Sequence, residues 1–155
     1  MTPDEIISLG KMGGAAMLGL SAVGSGLGAG VAAMAAVGAW KKCYAQNKLA
    51  PFMLVAFIGA PLSQTIYGFI IMRAIIKAAL AGAAWQALVG AGIFGGLAMG
   101  ISAWMQGKAG ASCSDALAET GQGTANYFMA IGIIETVALF TLAFISQAIK
   151  VVVPA

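Results

Sequence analysis

"TGQGTANYFMAIGIIETVALFTLAFISQAI", residues 120–149, holds one charged side chain in thirty positions, Glu135. A hydrocarbon core is crossed by about 20 apolar residues at about 1.5 Å each, so this run is long enough to span it. Three more uncharged windows precede it, at 12–40, 49–72 and 78–107. Apolar residues make up 61% of the chain and charged residues 8%, where soluble domains carry roughly 45–50% and about 25%. Backbone groups in lipid must hydrogen-bond within their own segment. The chain is therefore expected to be an all-α membrane protein of four transmembrane helices. A membrane barrel needs alternating apolar and polar residues, and that alternation is absent.

The windows divide into two tandem helical hairpins. The first, 1–80, has helices at about 11–42 and 51–78; the second, 81–155, has helices at about 84–114 and 122–150. The connections read "KKCYAQNKLA", "KAALAGAA" and "SDALAETGQG", the last ending in the breakers Gly121 and Gly123. An internal duplication is visible. "QTIYGFII" from Gln64 overlays "ETVALFTL" from Glu135, with Thr65 on Thr136, Ile66 on Val137 and Phe69 on Phe140. One half has an acid at its midpoint where the other has an amide.

The first and third helices are runs of Gly, Ala, Ser and Met. In the third, Gly90, Gly92 and Gly95 satisfy G-x-G-x-x-G, and Asp115 falls where a ribose-binding acid would stand. A dinucleotide site needs a strand before that motif and a helix opening at it, so the resemblance is rejected. Small residues instead let helix backbones approach closely in lipid. They cover nearly every face of the first helix, which suits a helix with neighbours on several sides, as in a packed ring. The second and fourth helices carry Phe52, Phe57, Phe69, Phe140 and Phe144, as a lipid-facing outer layer would.

An ionised glutamate near the bilayer centre costs at least about 2.5–3.5 kcal/mol. It persists when protonated, paired with a cation or placed in a polar cavity. No Lys or Arg lies mid-window, so the counter-charge must come from a proton, a metal cation or another subunit. On the second helix Ala60, Ser63, Gln64 and Tyr67 recur at spacings of three, four and seven and share one face. Pro61 removes a backbone donor and frees a carbonyl in the preceding turn. Gln106 lies in the outgoing half of the third helix. These neutral oxygens with one carboxylate would make a net-zero site for a monovalent cation. The plainer alternative is that Ser63, Gln64 and Gln106 bond across helices.

The remaining features are less informative. Lys41, Lys42 and Lys48 cluster in one connection, Arg73 and Lys77 in the next, as snorkelling residues at helix ends do. With Lys11 and Lys150 the charges nearly balance, so orientation is undecided by charge. The net charge of +3 gives no reason to expect nucleic acid. Cys43, expected in a loop, and Cys113, near the end of the third helix, are read as reduced thiols. Without histidine they leave little room for zinc. "MTPDEIISLG" has two acids and no base before the apolar run, unlike a signal peptide, so the first helix is expected in the mature protein.

Four features together resemble the rotor-ring proteolipid of V-type or A-type ATPases, the K or c subunit, in its duplicated four-helix form. They are the Gly-rich first helix, "PLSQTIYG" at 61–68, "QGK" at 106–108 and "IET" at 134–136. The resemblance runs through nearly the whole chain. It implies a homo-oligomeric ring in the cell membrane, joined by its polar connections on the cytoplasmic side to central-stalk subunits. It implies no catalytic residues. Glu135 would carry one cation per subunit and exchange it at an arginine of a stator subunit. In sodium-carrying members the ligand positions correspond to Glu135, the Ala60 carbonyl, Ser63, Gln64 and Gln106, and Tyr67 would hydrogen-bond the glutamate. The implied cargo is Na+, with H+ alone as the alternative, since Thr65 stands where some members have glycine. Two rivals of other classes are a small channel or transporter gated by Glu135, and a structural membrane scaffold.

Overall fold

The computed structural model describes residues 1–153, and the last two residues of the second-hairpin range lie outside it. Helix α1 runs Pro3–Ala45, α2 Leu54–Gly59, α3 Ser63–Leu80, α4 Trp85–Thr120 and α5 Thr124–Val151. A 3-10 turn, Ala60–Leu62, joins α2 to α3, so that the two form one span, Leu54–Leu80. Four helices are thus long and apolar enough to cross a membrane. The break falls at Pro61, which has no N–H to continue the α-helical ladder.

Three boundaries differ from the sequence expectation. Helix α1 begins at Pro3 rather than near 11, because "TPDE" is a capping box. Thr2 Oγ1 accepts from the Glu5 amide at 3.3 Å, and the Glu5 carboxylate accepts from the Thr2 amide at 2.7 Å. Helix α1 also continues to Ala45, which puts the buried Cys43 in its last turn and not in a loop. Most of "SDALAETGQG" is helical as well. Helix α4 ends only at Gly121, whose positive φ of 67° lets its amide bond the Leu117 carbonyl at 2.9 Å. The charges of Asp115 and Glu119 suggested a loop, yet Leu117 and Ala118 on the same turns are buried among Cys43, Leu54 and Phe57. Lys42 pairs with Glu119 across that end of the bundle.

Glycines fix the arrangement of the helices. Helix α1 lies along α4, with Gly13 against Leu88 and Gly92, Gly24 against Gly100, and Gly28 against Ala103 and Gly107. Residue numbers rise together along the two helices, which are therefore parallel. A Cβ added at Gly24, Gly92 or Gly107 would fall within the opposing backbone. This is the close approach that small residues permit in lipid. The α2–α3 span packs antiparallel on α1, with Gly68 against Ser21 and Pro61 against Gly28. Helix α5 lies antiparallel to α4 and alongside α3.

Bulky residues mostly face outward: Phe52, Phe69, Phe140 and Phe144 are exposed. Phe57 is the exception. It was expected to face lipid but is fully buried, packed edge-on to Tyr127 at 6.4 Å and tilted against Phe128 at 5.2 Å. Gly110 makes room for its backbone. Only one side of α1 is occupied; Gly19, Gly26, Gly30 and Gly38 face open space.

Candidate ion-binding site

Glu135 sits midway along α5, where every neighbour on its own helix is uncharged. Helix α5 is the least buried of the four spans, yet the half-buried Glu135 does not point its carboxylate away from the bundle. It turns inward to α3 and α4. Tyr67 on α3 donates its hydroxyl to Oε1 at 2.8 Å. Gln106 on α4 donates Nε2 to Oε2 at 3.3 Å and to the Ile131 carbonyl at 3.2 Å.

The other candidates connect through that glutamine. Gln64 and Gln106 are both fully buried, and Gln64 Nε2 donates to Gln106 Oε1 at 2.8 Å. Ser63 Oγ lies 3.2 Å from Gln64 Oε1 and 3.1 Å from the Ala60 carbonyl. Its single hydroxyl proton can serve only one of them at a time. All six residues singled out in the sequence therefore lie together: Gln64 reaches Glu135 by way of Gln106, and Ser63 Oγ lies within reach of both Gln64 and the Ala60 carbonyl. The 3-10 turn presents the Ala60 carbonyl, which also accepts the Ser63 amide.

Two contributors were not anticipated. Ser102 Oγ donates to the Ile134 carbonyl at 3.0 Å, tying α4 to the backbone beside the glutamate. The Ile131 carbonyl holds the Gln106 amide. Ser102 stands four residues before Gln106 and so on the same helix face, a spacing that could have revealed it. Carbonyl partners leave no mark in side-chain identity.

Among the described residues no base answers Glu135. The one salt bridge among them is Lys42–Glu119, at one end of the bundle and far from mid-span. Nor do any three His, Cys, Asp or Glu side chains among them lie close enough together to hold a metal ion. What the network offers is a single carboxylate and four neutral oxygens, from Ala60, Ser63, Gln64 and Gln106. Hard oxygens of this kind suit a small cation of low charge.

Replacing Gln106 by Leu keeps the bulk and removes the amide. Gln64 Nε2 and one carboxylate oxygen each lose a partner, while the Ile131 carbonyl keeps its bond within α5. Unmet buried groups cost about 1–3 kcal/mol each, so thermal unfolding of the detergent-solubilised protein should shift clearly downward. An unchanged unfolding temperature would mean the network contributes nothing to stability.

Fold and site together define an all-α, multi-pass membrane protein with one carboxylate held between its spans. Residues 89–145, which include Gln106 and Glu135, match the family model of the ATP synthase C subunit. The matched segment is somewhat over a third of the chain and covers most of α4 and α5. It supports a rotor-ring proteolipid of an ATP synthase-type complex. No curated protein matches the chain.

Proposed function

We propose that this chain is a rotor-ring subunit of a V/A-type rotary ATPase that carries one Na+ per subunit at Glu135. The observation that carries the reading is the Glu135 network. A lone carboxylate, answered by no base among the described residues, is joined through Gln106 to Gln64, with the oxygens of Ser63 and Ala60 next to it. One negative charge and one Na+ sum to zero, which removes most of the cost of burial in lipid. Tyr67 holds the carboxylate in place and contributes no charge.

In this reading identical subunits form a ring in the cell membrane, with the open glycine face of α1 meeting neighbouring copies. Polar connections on the cytoplasmic side dock the central stalk. When Glu135 passes a stator arginine, the fixed cation replaces Na+ and the ion leaves; beyond it the site reloads. Rotation couples this exchange to ATP hydrolysis or synthesis carried out elsewhere in the complex. The tandem hairpins are a doubled unit that keeps the acid in one half only.

Proton carriage by the same subunit is the second reading, because Thr65 beside Gln64 stands where some members of the family have glycine. Dicyclohexylcarbodiimide, which modifies protonated carboxyls, separates the two. At fixed pH, NaCl should slow modification of Glu135 in the purified assembly, read by mass spectrometry, whereas KCl should not. Equal rates in both salts reject sodium and leave the proton.

A further inference from the structure

Where α3 and α5 end, their faces part to leave a groove of about 260 Å³. Ala74, Lys77 and Ala78 line it from α3, with Ala81 just past that helix; Ser146, Ile149 and Lys150 line it from α5, with Val153 just past its end. Both sets step by three, four and seven, so each is a single helix face. The walls are apolar, with Ala78 and Ile149 buried at its floor. The two lysines stand at its mouth, in the last turns of the spans.

Two cations beside one cavity repel each other unless an anion lies between them. Each also gains from its helix C-terminus, which favours positive charge, but that does not relieve the repulsion. Among the described residues no carboxylate pairs with either; the single salt bridge, Lys42–Glu119, is at the opposite end. Asp4 and Glu5 lie at the start of α1, and Glu5 is engaged with Thr2. The matching ligand has an anionic head and an apolar tail.

We propose that this groove binds an anionic phospholipid, its phosphate between Lys77 and Lys150 and an acyl chain along Ala74, Ala78 and Ile149. Glu135 is eleven residues before Ser146 on the same helix, about 16 Å away, so the site is separate from the ion network. The inference rests on the membrane-spanning fold and not on which ion is carried. Basic residues at a membrane surface each add attraction to anionic lipid, and the tails add apolar contact.

The test is native mass spectrometry of the full-chain assembly in detergent, titrated with phosphatidylglycerol or phosphatidylcholine. Phosphatidylglycerol should be retained at least about tenfold better, and K77Q/K150Q should lose that preference. K77R/K150R should keep it, and K41Q/K48Q, at the other end of the bundle, should leave it unchanged. Gel filtration of each variant confirms assembly. Equal retention of the two lipids overturns the proposal, as does a K77Q/K150Q variant that still prefers phosphatidylglycerol. A S146C variant that cross-links copies of the chain through the groove also overturns it, since a second copy would then fill the space.

Discussion

Glu135→Gln is expected to abolish ion transport by the assembled complex while leaving the subunit folded. Glutamine has the same length and keeps an oxygen for Tyr67 to donate to, so the packing between α3, α4 and α5 survives. What goes is the charge. Two unit charges about 4 Å apart attract by about 4 kcal/mol at an effective dielectric near 20. Since about 1.4 kcal/mol is a factor of ten, Na+ affinity should fall by roughly three orders of magnitude. The measurement is 22Na+ uptake driven by ATP in vesicles containing the whole complex, with ring assembly checked in parallel. Modification by dicyclohexylcarbodiimide should vanish as well, because no other carboxyl lies mid-span. Uptake at the wild-type rate would remove Glu135 from the transport path and favour the scaffold. Conductance by the purified chain alone in a planar bilayer would favour the channel.

Gly24→Val should prevent the chain from folding, whereas Gly26→Val, two residues away, should not. A Cβ at Gly24 would enter the backbone of Gly100, and the obstruction is peptide rather than a side chain that could rotate aside. Overpacking a core typically costs about 1–3 kcal/mol. Separating two helices whose backbones touch at three levels should exceed that, against a total stability of about 5–15 kcal/mol for ordinary domains. Gly26 has nothing within 4 Å of its would-be Cβ. Yield and helical signal of the solubilised protein distinguish the two variants. If Gly26→Val also leaves the chain folded but blocks assembly, the open face of α1 is where neighbouring copies meet. Equal tolerance of both substitutions would mean that α1 and α4 are not in backbone contact.

Lone charges, window lengths and the scarcity of acids and bases are properties of the chain in one dimension. They were enough to read four spans, the isolation of Glu135 and the oxygen-bearing face of Ala60, Ser63, Gln64 and Tyr67. Helix ends were less legible. Asp115 and Glu119 make 115–120 polar, but a helix end is decided by where a carbonyl ladder can close, here at Gly121. At the N-terminus the capping box of Thr2 and Glu5 was present in the letters and outweighed the acidic composition.

Sequence alone determined that this chain is helical, built to span a membrane, and burdened with one acid it cannot neutralise by itself. Tertiary structure decided which way that acid faces, that Gln106 is the link between it and Gln64, and that Ser102 steadies the backbone beside it. It also decided that Phe57 is core and not lipid-facing. The reason lies in range: hydropathy and helical spacing repeat within a few residues, whereas the rotation and register of one helix on another depend on glycine backbones meeting across some eighty residues of chain.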